Sequence, residues 1–333
     1  MKIYLAGDSI VQNYEKEEFI AGWGQFLPFF IKDGVEVVND AKGGRSSRLF
    51  INEGRFDNIE KNISAGDYLL IEFCHNDDAS KEYKTMFNRL TPLGEPDSDG
   101  RFPIIPGEAM PKDYIPPEYI DALRKDENVK DKQAVLDSVY KILESYPHDT
   151  YYPYSADGSK GTYLWFLKQF VDMAREKGAV PVFVTAPART VYDANGNIKD
   201  GAGLHGGNNF AYIRAMKQLG EEAKVPVIDL FAYSCGLYKQ IGKEKIHWIT
   251  SIKKGCNKGI WPDDFNSEMQ KKETVSEDTH FNKYGAMLIT QGLVKLIKES
   301  DNSQLDGLKG MLKNPDGIDI EKYVKKPLVF EKF

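Results

Sequence analysis

Five short apolar runs, separated by stretches with helical periodicity, leave few folds open to this 333-residue chain. Each run is nearly continuous in apolar residues, which is typical of parallel strands that are buried on both faces. Such strands need helices on both sides of their sheet. The runs are Lys2–Ala6, Val35–Asn39, Tyr68–Phe73, Val180–Thr185 and Val225–Leu230.

The stretches between the runs predict the helices that cover the sheet. In Tyr163–Lys177 the apolar residues recur at helical spacing, with Thr162 placed to cap the helix and Gly178 placed to end it. Asn208–Leu219 and Tyr284–Lys298 have the same pattern. This alternation predicts an α/β fold, a three-layer α/β/α sandwich of flavodoxin-like type with a central parallel sheet of about five strands. Functional side chains are then expected at the carboxyl ends of the strands.

Three segments depart from the alternation, although residues 1–333 are expected to form a single domain. Residues 79–160 are rich in proline, tyrosine and charged residues, with one helical stretch near Asp131–Ser145. Structureless loops of that length are uncommon in compact domains, so these residues are predicted to be a partly structured insertion that forms a lid or rim after the third strand. Residues 233–276 are predicted to be a second irregular rim segment, and residues 300–333 a C-terminal tail.

Charge and hydropathy exclude several classes of protein. The net charge is -6, whereas nucleic acids and anionic membranes need an excess of lysine and arginine, so neither partner is expected. No apolar run reaches the roughly 18 residues that cross a bilayer. Met1 and Lys2 lead straight into the first strand without the apolar stretch of an export signal, so a cytoplasmic location is expected, with a processed exported form left open.

The cysteines predict neither a disulfide framework nor a zinc site. Cys74, Cys235 and Cys256 cannot all pair, and none has CxxC spacing. No metal is therefore expected. The oligomeric state is left open.

The first polar motif, Gly7-Asp8-Ser9, directly follows the first predicted strand. A serine on a tight turn past a buried strand can hold its hydroxyl exposed, as a nucleophile must. Taken alone, the tripeptide is more often an ordinary turn. Ser9 is therefore a candidate nucleophile that needs a partner base.

Two further motifs can supply N–H groups beyond the second and third strands. Gly43 and Gly44 follow the second strand, where glycine lets the backbone approach a ligand closely. Asn76 follows the third strand and carries a side-chain amide. Both are donors of the kind that stabilises an oxyanion, although both residue types are also common in turns.

A histidine comes just before the last predicted helix, with two carboxylates ahead of it. A carboxylate two or three residues before His280 can accept the proton of Nδ1 and leave Nε2 to take a proton from a serine. Glu277 and Asp278 both lie within that spacing. A lone histidine is more often structural, so the motif gains weight only in combination with the others.

Together, the four motifs resemble the four sequence blocks of the SGNH (GDSL-like) hydrolase superfamily. Their order and their placement at strand and helix ends make the joint match much more specific than any single motif. Within the superfamily, the segments Gly-Gly-Arg-Ser-Ser-Arg, His-Asn-Asp and Thr-His-Phe-Asn-x-Tyr-Gly-Ala, with Gly22-Trp23-Gly24 after the first block, are similar to the rhamnogalacturonan acetylesterase branch. The resemblance spans most of the chain outside the two irregular stretches.

The resemblance implies a role for each motif. Ser9 would be the nucleophile and also the first oxyanion donor through its backbone N–H. Gly44 would be the second donor and Asn76 the third, and His280 would be the general base. The implied reaction is ester hydrolysis through an acyl-serine intermediate, without a cofactor, on an acetylated carbohydrate derived from pectin.

Two positions depart from the pattern of the branch. The branch has aspartate three residues before the catalytic histidine, whereas this chain has Glu277 there and Asp278 one residue later. Position favours Glu277 and residue type favours Asp278, so both are candidates to orient His280. Cys74 stands where the branch commonly has glycine, and we do not interpret it as a nucleophile.

Other functions and substrates are compatible with the sequence. One alternative is an SGNH lipase, lysophospholipase or arylesterase with a larger acyl pocket, and another is a non-catalytic carbohydrate-binding protein on the same fold. Arg45 and Arg48 are candidates to bind a uronate carboxylate. Five aromatic residues are candidates to stack on sugar rings, namely Tyr151, Tyr152, Tyr154, Trp165 and Trp261.

Overall fold

The computed structural model describes residues 1–15, 20–78, 87, 89–151, 157–199, 208–252 and 276–324. The strands are β1 (Lys2–Gly7), β2 (Glu36–Asn39), β3 (Tyr68–Glu72), β4 (Ala109–Met110), β5 (Thr150–Tyr151), β6 (Val180–Val184), β7 (Val227–Ile228), β8 (Thr250–Ile252) and β9 (Ser276–Phe281). The α-helices are α1 (Trp23–Phe26), α2 (Ser47–Asn52), α3 (Arg55–Asn62), α4 (Pro117–Lys125), α5 (Lys132–Glu144), α6 (Tyr163–Glu176), α7 (Ala211–Glu222), α8 (Leu230–Ile241), α9 (Lys283–Glu299) and α10 (Asp306–Met311). Short 3-10 helices span Leu27–Phe30, Asn208–Phe210, Ile246–Trp248, Ser303–Leu305, Pro315–Gly317 and Ile320–Lys322.

The central sheet has five strands in the order β2-β1-β3-β6-β7. The pairs β1/β2 and β3/β6 are parallel, with Lys2 opposite Glu36 and Tyr68 opposite Val180. Helices flank the sheet, which confirms the predicted three-layer α/β/α fold, and the strand order is that of flavodoxin-like sheets. The fifth predicted strand is shorter than expected because the side chain of Asp229 accepts a hydrogen bond from Ala232 N (3.1 Å) and starts helix α8.

One compact unit consists of Met1–Gly43, Val184–Lys199 and Pro226–Phe333. Its main internal helix is α9, which buries nine residues. The hydroxyl of Thr290 on α9 donates a hydrogen bond to the carbonyl oxygen of Trp23 (2.9 Å), and the Trp23 side chain is fully buried. The carboxyl end of β1 and the whole of β9 belong to this unit.

The other compact unit consists of Gly44–Phe183 and Asp200–Val225. Its core contains a cluster of phenylalanine rings, in which Phe73 lies 5.3 Å from Phe50 and 5.4 Å from Phe170 between ring centroids. The hydroxyl of Tyr163 donates a hydrogen bond to the carbonyl oxygen of Phe73 (2.5 Å). These contacts hold helix α6 against the end of β3.

The predicted insertion at residues 79–160 contains helices α4 and α5 and supplies most of a hydrophobic cluster, to which helix α2 adds Leu49. The buried members of that cluster are Leu49, Phe87, Tyr119, Leu123, Val139, Leu143 and Tyr146. The predicted helix near Asp131–Ser145 is present as α5, and the side chain of Asp131 caps it through Ala134 N (2.9 Å). The role of the insertion as a lid or rim stays a prediction.

Thr162 stands at the N-cap position of helix α6, as predicted, but its side chain makes no cap hydrogen bond there. Its hydroxyl donates to the carbonyl oxygen of Pro103 (2.8 Å) and accepts a hydrogen bond from Ile105 N (3.0 Å). The partners of Thr162 thus lie in the insertion, about 60 residues earlier in the chain, and a local cap pattern could not show them.

The other two segments that were predicted to be irregular contain regular elements. Helix α8 and strand β8 lie within or overlap residues 233–276, and helix α10 lies within residues 300–333. None of the helices in the described ranges is both long enough and apolar enough to cross a bilayer.

Candidate active site

Ser9 lies on a turn that directly follows β1. The carboxylate of Asp8 accepts a hydrogen bond from Ile10 N (2.9 Å), and the carbonyl oxygen of Asp8 accepts one from Gln12 N (3.1 Å). The hydroxyl of Tyr14 donates to the carbonyl oxygen of Ser9 (3.0 Å). Asp8 is fully buried and Ser9 is 8% exposed, so the turn fixes the serine backbone and leaves a small part of the residue accessible.

The hydroxyl of Ser9 and the imidazole of His280 form a direct hydrogen bond. The distance between Ser9 Oγ and His280 Nε2 is 2.8 Å, although the two residues are 271 positions apart in the chain. This distance lies in the range at which a general base takes a proton without an intervening water. When Ser9 donates to Nε2, the imidazole proton is on Nδ1, which is the tautomer that a neighbouring carboxylate stabilises.

Asn282 anchors the chain two residues beyond His280. Its backbone N–H donates to the carbonyl oxygen of Ile249 (3.1 Å), and its side-chain Nδ2 donates to the carbonyl oxygen of Trp248 (2.8 Å). Its Oδ1 accepts a hydrogen bond from Gly285 N (2.9 Å) and so caps helix α9. One side chain thus ties the strand that carries the base both to the segment leading into β8 and to a helix.

We expect Asn282→Ala to lower the free energy of unfolding by about 2 kcal/mol, because the substitution removes a helix cap together with buried hydrogen bonds. Chemical denaturation monitored by circular dichroism measures this loss. Asn302→Ala is the matched control, since Asn302 caps a short 3-10 helix through Gln304 N (3.0 Å) at an exposed site. Equal losses in the two variants would contradict the anchoring role of Asn282.

The carboxylate of Asp278 is engaged by residues other than the base. Its Oδ1 accepts a hydrogen bond from the hydroxyl of Thr279 (2.9 Å) and lies 3.4 Å from Arg189 Nη2. Its carbonyl oxygen accepts a hydrogen bond from Thr190 N (2.7 Å). Within the part of the chain that the structure describes, this carboxylate makes no hydrogen bond to His280.

Glu277 lies in β9, but its side chain is outside the described residues. Strand β9 is irregular next to its partner: between the pairs Thr250/Phe281 and Ile252/Ser276, β8 advances by two residues and β9 by five. A bulge of this kind breaks the strict alternation of side chains and often re-aims a residue beside an active site. Strand periodicity therefore does not decide which of the two carboxylates faces the base.

Gly44 and Asn76, the predicted N–H donors, both lie near one arginine. The Oδ1 atom of Asn76 accepts a hydrogen bond from Arg89 Nη1 (3.3 Å). Gly44 has a φ of +82°, and a Cβ atom at this position would lie 2.9 Å from Arg89 Nη2. The positive φ favours glycine at position 44, whereas the end of the arginine side chain could shift to make room for a Cβ atom.

Arg45 and Arg48 both have partners within the protein, and the burial of Arg48 does not fit the predicted contact with a uronate. Arg45 forms a two-point ion pair with Glu53, with distances of 2.7 and 2.8 Å. Arg48 is 2% exposed and donates to the carbonyl oxygens of Phe87 (2.9 Å) and Leu90 (3.0 Å). Burial lowers the pKa of Arg48 to about 10, in agreement with a structural rather than a substrate-binding arginine.

Arg89 is the residue at this site that sequence reasoning missed. It lies in the segment after Asn76, which also holds Lys81 and Lys84, and no periodicity singles out one of these three cations. Mixed charges of this kind are typical of a solvated surface. Only the fold shows that Arg89 returns to contact residues 44 and 76.

Of the predicted sugar-stacking residues, the described ones pack against other aromatic rings. Trp165 contacts Tyr151 and Phe166 edge-on, with centroids 5.0 Å away in both pairs. Tyr152, Tyr154 and Trp261 lie outside the described residues, as does Cys256. Cys74 is fully buried, as expected for a thiol that packs as a small apolar group.

Comparison with known proteins places the chain among carbohydrate esterases. No family model matches the sequence. The rhamnogalacturonan acetylesterase RhgT of Bacillus subtilis (strain 168) is 30% identical over 300 residues, which cover 90% of each chain. The probable rhamnogalacturonan acetylesterase YesY of the same organism is 30% identical over 298 residues, or 89% of this chain and 92% of the relative.

Among solved structures, that of protein YxiM from Bacillus subtilis has a TM-score of 0.52 and 20% sequence identity. It aligns with 91% of this chain, which spans 57% of that protein, and at this identity the likeness concerns the fold alone. The parallel sheet of five strands with helices on both sides is the fold of the SGNH hydrolase class. Because two relatives match it at 30% identity over about nine-tenths of their length, this chain belongs to the rhamnogalacturonan acetylesterase-like family of SGNH hydrolases.

Proposed function

We propose that this protein is a serine esterase that removes acetyl groups from a carbohydrate, and that its substrate is acetylated rhamnogalacturonan or oligosaccharides derived from it. The observation that carries the proposal is the 2.8 Å hydrogen bond between Ser9 Oγ and His280 Nε2. A hydroxyl that donates to a neutral imidazole is the activated nucleophile of serine hydrolases. The names of two full-length relatives support the substrate class.

The reaction follows from this pair in two halves. His280 takes the proton of the Ser9 hydroxyl as Oγ attacks the acetyl carbonyl carbon, and the carbonyl oxygen becomes an oxyanion. The C–O bond to the sugar then breaks, and the sugar oxygen leaves with the proton from His280. Water next attacks the acetyl-serine with His280 again as the base, which releases acetate and restores the hydroxyl.

We assign the N–H donors for the oxyanion to the backbones of Ser9 and Gly44 and to the side chain of Asn76. Support comes from Gly44, which has no Cβ atom and a positive φ that other residues rarely adopt, and from the hydrogen bond that holds Asn76 Oδ1. Donors fixed in advance stabilise the transition state because they need not reorganise as charge develops.

We assign the orientation of His280 to Glu277. Asp278 is satisfied by Thr279 and Arg189, so its carboxylate already has other partners. Glu277 occupies the position three residues before the base, and a glutamate can serve as the third member of such a triad.

The cytoplasmic location predicted from the sequence stays a prediction.

We expect acetate release to be faster from acetylated rhamnogalacturonan than from acetylated xylan. We also expect p-nitrophenyl acetate to be cleaved faster than p-nitrophenyl octanoate. The first comparison tests the carbohydrate and the second tests the size of the acyl pocket. A preference for octanoate would favour the lipase or lysophospholipase alternative, and acetate release that is unchanged in Ser9→Ala would favour a protein without this catalytic site.

A further inference from the structure

Arg89 bonds to Asn76 and lies near Gly44, the two residues to which the third and second oxyanion donors are assigned. Its Nη1 donates to Asn76 Oδ1 (3.3 Å), and its Nη2 lies against Gly44, where a Cβ atom would approach to 2.9 Å. A guanidinium is planar and rigid, so its hydrogen bond to Oδ1 restrains the orientation of the Asn76 amide. Arg45, although close in sequence to Gly44, is held by Glu53 instead.

The backbone on both sides of Arg89 is held in place. Arg48 donates to the carbonyl oxygen of Phe87 (2.9 Å) and, through two of its nitrogens, to that of Leu90 (3.0 and 3.1 Å). Thr91 N donates to the carbonyl oxygen of Asp77 (2.9 Å). Because Arg48 is almost fully buried, these bonds are shielded from water and hold the segment firmly.

An asparagine amide can be turned in two ways, with either its oxygen or its nitrogen towards a reacting group. Only Nδ2 can donate to an oxyanion, and an arginine has donors but no acceptor, so it can hold only the oxygen of the amide. A cation that binds the oxygen also withdraws electron density from the amide and makes its N–H groups stronger donors.

From these contacts we infer that Arg89 is a positioning residue for ester hydrolysis, which holds the Asn76 amide by its oxygen so that Nδ2 serves the oxyanion. The inference rests on the proposed function. Arg89 acts through Asn76, so its contribution should vanish when the amide is absent. An arginine that instead bound a carboxylate of the substrate would act on the binding of that substrate alone.

The test is a double-mutant cycle of Arg89→Gln and Asn76→Ala, assayed on both p-nitrophenyl acetate and acetylated rhamnogalacturonan. We expect Arg89→Gln to lower kcat by about 10- to 100-fold on both substrates with little change in KM, because a misplaced donor costs part of the roughly 100- to 1000-fold effect of a lost one. In the Asn76→Ala background the same substitution should change kcat by less than about threefold.

A conservative variant and a matched control complete the cycle. Arg89→Lys keeps one charged donor and should retain more activity than Arg89→Gln. If Arg89→Gln does not fold, Arg89→Lys replaces it in the double-mutant cycle. Arg101→Gln removes an arginine from an exposed pair with Glu222 and should leave kcat unchanged. Circular dichroism of each variant shows whether the fold is intact.

Three outcomes would overturn the inference: an equal effect of Arg89→Gln in both backgrounds, an effect on KM of the carbohydrate alone, or no effect at all in a folded variant. Each of these leaves the proposed function standing as long as Ser9→Ala abolishes acetate release. If Ser9→Ala still releases acetate, the proposed function is contradicted, and the inference about Arg89 falls with it.

Discussion

Ser9→Ala is expected to lower kcat for acetate release by about 10⁵-fold or more, because it removes the only atom that can form the acyl intermediate in the proposed reaction. The Oγ atom lies 2.8 Å from His280 Nε2, and alanine leaves the imidazole with no proton to take from the enzyme. KM should change little, since the substrate still meets the same surface. Initial rates on p-nitrophenyl acetate and on acetylated rhamnogalacturonan measure the loss.

His280→Ala and the double variant extend this test. Nucleophile and base act as one unit, so the double variant should be no less active than either single variant. Ser159→Ala is a matched control, because Ser159 is exposed and its hydroxyl and backbone N–H both donate to the nearby carboxylate of Asp157. More than about a tenth of the activity remaining in a folded Ser9→Ala variant would exclude Ser9 as the nucleophile.

Glu277→Gln is expected to lower kcat by about 10³- to 10⁴-fold, close to the effect of the equivalent aspartate change in other serine hydrolases. The amide removes the negative charge that stabilises the imidazolium and can turn its NH₂ group towards Nδ1, which disfavours the required tautomer. Activity measured across pH, with thermal unfolding as the check on folding, shows the effect.

Asp278→Asn is the matched control, and we expect it to cost less than about tenfold in kcat. The amide can still accept the hydrogen bond from Thr279, and the ion pair with Arg189 that it loses is partly exposed. The reverse ranking of the two variants would transfer the orienting role to Asp278. If both variants were fully active, the enzyme would work as a serine–histidine dyad.

The strands could be predicted because the strands of a parallel sheet that is buried on both faces are nearly continuous runs of apolar residues. Runs such as Tyr68–Phe73 and Val180–Thr185 need no partner to be recognised, and the structure places strands there to within a residue. The hydrogen-bond partners of residues at helix ends were harder to predict. Thr162 has the residue type of a cap, but its hydroxyl bonds to Pro103 and Ile105, and such distant partners leave no local pattern.

Some residues of the candidate site could likewise be predicted from the sequence and others could not. Ser9 and His280 could be found because each lies at the end of a predicted element and belongs to a motif with known chemistry. Arg48 and Arg89 could not be separated by sequence, since both follow turn-like segments rich in charge. The structure separates them by their partners. Arg48 is buried and donates to backbone carbonyl oxygens, whereas Arg89 donates to Asn76 and lies near Gly44.

The separation of 271 residues between the nucleophile and the base has a consequence for how this protein can be handled. Strand β1 lies near the start of the chain and β9 near its end, so the bond between Ser9 and His280 is among the least local contacts in the molecule. Loop-closure entropy makes contacts of this kind slow to form. Catalytic activity is therefore a stricter measure of correct refolding than helix content, and preparations should be compared by specific activity rather than by circular dichroism alone.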